Sequence, residues 1–119
     1  MQKYISWVEI PATNLQRAVR FYNAVLNLEL QIADFGEEKM ACLPNGEGAI
    51  SQAPDFEPSK HGVLISLNTG KDMDGAIDRI QAAGGKIITE KTRIEAEGMG
   101  YFALFMDSEG NKMGLYGDQ

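Results

Sequence analysis

The sequence predicts an α+β fold made of two tandem βαβββ modules. Three observations predict it. An apolar pattern of strand, helix and three short strands occurs twice along the chain. The two helical patterns align 58 residues apart, with Asn14-Leu15 opposite Asp72-Met73, Ala18 opposite Ala76, Val19 opposite Ile77, Tyr22 opposite Ile80 and Ala24 opposite Ala82. A polar stretch with two prolines, residues 54–61 (P-D-F-E-P-S-K-H), lies between the halves and reads as a linker. Further along, the offset becomes 62, with Ala41 opposite Ala103, Glu47 opposite Glu109 and Gly48 opposite Gly110. Four residues inserted within 93–99 would account for the drift. Each half is too small to hold a comfortable core alone. Residues 1–56 and 61–119 are therefore expected to be modules of one domain spanning 1–119.

Each element has its own local reason. Residues 3–11 (K-Y-I-S-W-V-E-I-P) are rich in aromatic and β-branched side chains and end at Pro11, as a strand does. Ala12-Thr13-Asn14 supplies capping oxygens for a helix from about 14 to 26, whose apolar face is Leu15, Ala18, Val19, Tyr22, Val25 and Leu26. Residues 28–35, 39–43 and 48–53 read as short strands, separated by turns at 36–38 and 44–47. Residues 62–69 repeat the first strand. Residues 72–83 repeat the helix, with Met73, Ala76, Ile77 and Ile80 inward. Gly84-Gly85 stops it, because glycine takes the left-handed C-cap conformation without a Cβ penalty. Residues 86–92, 100–106 and 112–116 are the last strands, with a turn at 107–111.

Composition removes several function classes. The 119 residues carry 11 Lys and Arg against 17 Asp and Glu, a net charge of −6. That charge and a pI near 4.7 argue against nucleic acid, which requires a basic surface, and against an anionic membrane. The single cysteine allows no internal disulfide and suits a reducing cytoplasm. Glu9, Asn14, Arg17 and Arg20 interrupt the first twenty residues, which argues against a signal peptide or membrane span. No phosphate loop or nucleophile elbow occurs. Cys42, mid-strand among apolar residues, reads as a buried, inert thiol. Asp34, Glu37, Glu38, Glu95 and Glu97 read as a solvated acidic rim, and Met99, Met106 and Met113 as core filling, with the softening of a pocket or dimer seam as the alternative.

Three segments carry a family resemblance: W-V-E-I-P-A-T-N-L-Q-R-A-V-R-F-Y-N-A-V-L-N-L at 7–28, D-M-D-G-A-I-D-R-I-Q-A-A-G-G-K-I at 72–87 and Y-F-A-L-F-M-D-S-E-G-N-K-M-G-L-Y at 101–116. With them the chain resembles the vicinal oxygen chelate superfamily of glyoxalase I, bleomycin-resistance proteins and extradiol dioxygenases. The resemblance implies that the sheets of the two modules form an open curled sheet around a pocket, in a protein that is commonly a dimer. It also implies where a metal would be held in metal-dependent members, on the first and last strands of each module. Those positions carry Trp7, Leu64 (Ile65 without a one-residue insertion), Gly114 and, by the 62-residue offset, Gln52. Trp7, Leu64 and Gly114 offer no side-chain ligand, and Gln52 offers one weak oxygen. A catalytic transition metal needs three or more N, O or S ligands. The only histidine, His61, falls three residues before Leu64. Metal and other cofactors are therefore not expected, although Gln52 and His61 stay open as members of an unusual site.

Strand alternation assigns the rest of the pocket. Ile5, Trp7 and Glu9, then Leu64, Ser66 and Asn68, then Lys112, Gly114 and Tyr116 share one face. Val8, Ile10, Ile65, Leu67, Met113 and Leu115 share the other. Trp7 is either a stacking wall or a plug where a metal would sit. Glu9, a lone carboxylate in an apolar strand, is either a general base and amine anchor or a partner of Lys112. Gln52, Ser66, Asn68 and Tyr116 can orient a ligand by hydrogen bonds. Tyr101, Phe102 and Phe105 read as core or pocket wall. The expected function is a cytoplasmic, metal-free homodimer of glyoxalase/bleomycin-resistance type that binds a small organic ligand. One alternative is a lyase or isomerase of the same superfamily, with Glu9 as base and Tyr116 or Lys112 as partner, or with a metal as in glyoxalases and dioxygenases. Another is a non-catalytic interaction module, which a pocket filled by Trp7, Phe102 and Phe105 would favour.

Overall fold

The first helix starts where its capping oxygen says it should. In the computed structural model, which describes residues 3–119, Asn14 takes an extended conformation and its side chain accepts the Arg17 N–H at 3.1 Å. The helix α1 (Leu15–Leu26) then runs until Asn27, whose φ of 55° closes it in the left-handed conformation. The second helix, α2 (Met73–Ala82), ends before Gly84 (φ 99°) and Gly85, whose amides donate back to Gln81 and Ile80. Each helix buries the stripe that its sequence marks, including Leu15, Ala18, Val19, Tyr22 and Val25 on α1 and Met73, Ala76 and Ile80 on α2.

The strands are β1 (Val8–Pro11), β2 (Ile32–Asp34), β3 (Lys39–Cys42), β4 (Gly48–Gln52), β5 (Ser66–Gly70), β6 (Lys86–Arg93), β7 (Tyr101–Met106) and β8 (Lys112–Gly117). They form two four-stranded sheets, ordered β1-β4-β3-β2 and β5-β8-β7-β6. In both, the first strand of the module runs parallel to the last and the other pairings are antiparallel. This is the βαβββ repeat as expected, and both sheets are open, with β1 and β5 as edge strands. The helix α1 lies on β2, β3 and β4. The helix α2 lies on β5, β6 and β8, and the two helices pack on each other. One buried cluster results, joining Ile10, Ile50, Phe21 and Tyr22 to Phe105, Met113 and Leu115.

Three strands are shorter than expected, for one reason. Residues 3–7, 28–31 and 62–65 have the composition of strands but no ladder partner over their length. Ordered pairing begins only at Val8, Ile32 and Ser66. Strand propensity is a fit to a neighbouring strand, and without one it has little force. The loop between β6 and β7 is longer than that between β2 and β3, in the region where the sequence offset drifts.

Candidate functional site

The two modules are tied at one corner, and that corner sets the geometry of the site. The turn between β7 and β8 carries Asp107, Glu109 and Asn111. The Tyr22 hydroxyl donates to Asp107 Oδ2 at 2.6 Å. The backbone amides of Glu109 and Asn111 donate to Oδ1 at 2.8 and 2.9 Å, and Asn111 Nδ2 donates to Oδ2 at 2.9 Å. Asn111 Nδ2 also reaches the Pro11 carbonyl at 2.8 Å, which fastens the start of β8 to the end of β1. Glu109 closes the corner. Its carboxylate accepts the amides of Thr13 and Asn14 at 2.9 and 2.8 Å, and Arg17 Nε and Nη2 at 2.7 and 3.0 Å. An anion at a helix N-terminus is favoured by the free amides and the dipole there. Burial would push the Glu109 carboxyl up. Its bonds from Arg17, Asn14 and Ser108 and the Arg17 charge outweigh that and hold it below the usual glutamate value. Burial, and then the charge of Asp107, pushes the Tyr22 phenol well above its ordinary value.

With helices on one face of each sheet, the other faces are left open. Side-chain parity is as the alternation predicts. Ile10, Met113 and Leu115 enter the core, and Val8, Ile65 and Leu67 pack against it. On the open faces lie Trp7 (43% exposed) and Glu9 in the first module, and Leu64 (49%), Ser66 and Asn68 in the second. Lys112 and Tyr116 are half-buried there, beside buried Gly114. Ser66 pairs with Gly114, and Asn68 with Tyr116. A Cβ on Gly114 would stand 2.6 Å from Ser66 Oγ, so this position is kept clear by the approach of β5. Ile5 is exposed ahead of β1, and Cys42 and Met99 are exposed as well, so neither is buried as expected. Phe105 lies wholly in the core against Phe21, not on the open face, while Phe102 pairs with Tyr116 on it.

Gln52 is placed elsewhere. Its Oε1 accepts the Leu15 amide at 2.8 Å, on the helix side of the sheet. The register explains the difference. Ala41 and Ala103 are 62 residues apart, but their cross-strand partners, Ile50 and Leu115, are 65 apart. The second hairpin is longer by an odd number of residues, and an odd step exchanges faces. The position matching Gly114 is Ala49, which pairs with Glu9 as Gly114 pairs with Ser66. By the same matching Trp7 corresponds to Leu64. The side chains at the strand positions where the family would hold a metal thus do not fit one: indole, isobutyl, hydrogen and, on β4, methyl. Among the described residues no three His, Cys, Asp or Glu are grouped to hold a metal ion. His61 is exposed, and the bond its residue makes is from its amide to Ser59 Oγ at 2.9 Å.

Glu9 has a partner that the sequence reading missed. Ser51, buried on the open side of β4, donates its hydroxyl to Glu9 Oε1 at 2.8 Å. Its place was recoverable only from the β1–β4 register. No ion pair joins Glu9 to Lys112 among the described residues. Both line a cavity of about 270 Å³ at the seam between β1, the linker and β8. Phe56 and Glu57 of the linker and Val63 just after it line it too, and the polar composition of 54–61 had given no sign of that role.

A family model described as Glyoxalase/Bleomycin resistance protein/Dioxygenase superfamily matches residues 4–115. Comparison with curated protein sequences finds no match. Among solved structures, the chain is similar to a glyoxylase/bleomycin resistance protein/dioxygenase domain from Frankia sp. EAN1pec, with 17% identity, a TM-score of 0.75 and 100% of each chain covered. A glyoxalase/bleomycin resistance protein/dioxygenase family enzyme from Burkholderia phytofirmans PsJN gives 17% and 0.73, with 96% of this chain and 98% of that one covered. The fosfomycin resistance protein FosX from Listeria monocytogenes gives 20% and 0.69, with 100% and 94% covered. At these identities the likeness is one of fold.

Proposed function

We propose that this chain, which belongs to the glyoxalase/bleomycin resistance protein/dioxygenase superfamily, binds a small organic ligand on the open sheet faces of a cytoplasmic homodimer, without a metal ion. The observation that carries the reading is the chemistry at the four strand positions. Trp7, Leu64, Gly114 and Ala49 present surface and space where the metal-dependent relatives would need donors. Ser66, Asn68 and Tyr116 supply polar groups that orient a ligand beside that apolar surface. Support for the dimer comes from the edges. Both β1 and β5 leave one side unpaired. Exposed Tyr4, Ile5 and Leu64 lie just before them. Free edges with apolar flanks are normally covered, and a second copy would cover them and close the open faces.

The test is metal dependence with oligomeric state. Purified protein is expected to hold no stoichiometric Zn, Ni, Mn or Fe, and to melt at the same temperature with each ion as with chelator. An ion at one hundred times its dissociation constant would stabilise the fold by about 2.7 kcal/mol, a shift of roughly 10 °C for this chain length. Such a shift, or a monomer in sedimentation at micromolar concentration, overturns the reading.

A second reading has a specific observation in its favour. Glu9 faces a cavity, accepts the Ser51 hydroxyl and has no ion-paired lysine among the described residues. That suits a general base in a metal-independent isomerase or lyase, with Tyr116 or Lys112 as proton partner. On this reading Glu9→Gln lowers turnover of any substrate found by about 10²–10⁴-fold at an unchanged melting temperature. Unchanged turnover removes Glu9 from that role.

A further inference from the structure

We infer that the seam cavity is a second binding site, complete within one chain, for a primary amine carried on a compact apolar body. It shares Glu9 and Lys112 with the open faces, but it opens at the seam under the linker rather than on Ser66, Asn68 and Tyr116. Its walls are built and fixed. The linker is pinned where the Ser59 amide donates to Asn111 Oδ1 at 3.1 Å and the Lys112 amide donates to the Ser59 carbonyl at 3.3 Å. Asn111 in turn holds Pro11, so hydrogen bonds tie the linker, β1 and β8 together. The linker arches between the Ala53–Phe56 bridge and Ser59 without filling the space beneath it.

The lining divides by depth. Ile10 and Met113 are almost fully buried and form the floor. Phe56 and Ile65 are half-buried and form the sides. Val63, 90% exposed, stands at the lip. A cavity of about 150 Å³ with such a lining is enough to hold a benzene ring, and this one has about 270 Å³. The rim is charged. Glu9 and Glu57 are exposed there, against the single half-buried Lys112. Glu9 is oriented by Ser51, and the Glu57 side chain makes no hydrogen bond or ion pair among the described residues. Two carboxylates above an apolar floor, on a chain of net charge −6, favour an ammonium over a carboxylate at the mouth. The floor excludes a strongly hydrated ion and takes a ring or short alkyl group instead.

The experiment is a titration of the ¹⁵N-labelled full chain with 2-phenylethylamine, with 3-phenylpropionate as the oppositely charged control. Saturable shifts are expected at Glu57, Gly62, Val63 and Lys112 with the amine, and weaker binding of the acid. Exposed Glu57→Gln should weaken the amine about fivefold, and Glu57→Lys should weaken it further and narrow the gap to the acid. Three results overturn the inference: no saturable shift at millimolar amine, equal binding of the acid, or shifts confined to Ser66, Asn68 and Tyr116. The last would leave the open-face reading standing while removing this one.

Discussion

Replacing Glu109 by alanine is expected to lower the melting temperature by roughly 8–12 °C, the equivalent of about 2–3 kcal/mol for a chain of this length. The Glu109 side chain is fully covered and accepts from the Thr13 and Asn14 amides, two Arg17 nitrogens and the Ser108 hydroxyl. Alanine leaves two helix-terminal amides and a guanidinium without their acceptor, and it removes an anion from the N-terminus of α1. It also cuts a tie between residues more than ninety apart, which holds β8 beside β1. Calorimetry measures the loss. Should the alanine variant fail to fold, Glu109→Gln keeps the shape and removes the charge, and a smaller loss in the same direction is expected. The pH dependence has a definite sign. The folded carboxyl lies below its ordinary value of 4.5. The contribution is therefore fully present above that value and is lost as pH falls through the lowered one. Wild type and Glu109→Gln should converge in stability on acidification below pH 4.5. Curves that stay parallel would show that the charge does not act in this way.

The corner that Glu109 closes was the part of the molecule least legible in the sequence. Residues 107–111 read as a turn, and they are one. That its three polar side chains reach Tyr22, Pro11 and the start of α1 depends on how two modules dock, and no local pattern encodes that. The repeat itself was legible, because helical periodicity and paired stop signals are local facts. So was the division of β1, β5 and β8 into a core face and an open face, because alternation is enforced wherever one face is buried. Trp7, Glu9, Leu64, Ser66, Asn68, Lys112, Gly114 and Tyr116 follow from that alternation. Gln52 did not, because its assignment passed through a hairpin whose length differs by an odd number between the modules. Ser51 was hidden by the same step. Residues 3–7 show the opposite failure, a strong strand composition with no neighbour in the chain to pair with. Their apolar side chains are the feature that a second copy would explain.

Asp107→Ala is expected to cost more than the loss of Glu109, roughly 3–5 kcal/mol, because several buried donors lose their acceptor at about 1–3 kcal/mol each. Those donors are the Tyr22 hydroxyl, the Asn111 side-chain amide and the backbone amides of Glu109 and Asn111. Tyr22→Phe removes one donor and leaves Asp107 three, so a smaller cost of about 1–3 kcal/mol is expected. The two changes should not add. Once Asp107 is gone the Tyr22 hydroxyl is already without its partner, and removing it relieves an unsatisfied buried group. Urea melts of both single variants and the double variant measure this coupling, and strict additivity would show that the 2.6 Å bond carries no energy of its own. The phenol also sets the alkaline limit. Burial first, and the Asp107 charge second, raise its folded value well above 10.0. Its contribution is complete below the unfolded value and is lost as pH rises through the folded one. Wild type should therefore lose stability above pH 10 faster than Tyr22→Phe, which has no phenol at this buried position to ionise. The curves should cross or converge, and a phenylalanine variant that falls in parallel with wild type would place the alkaline loss on another group.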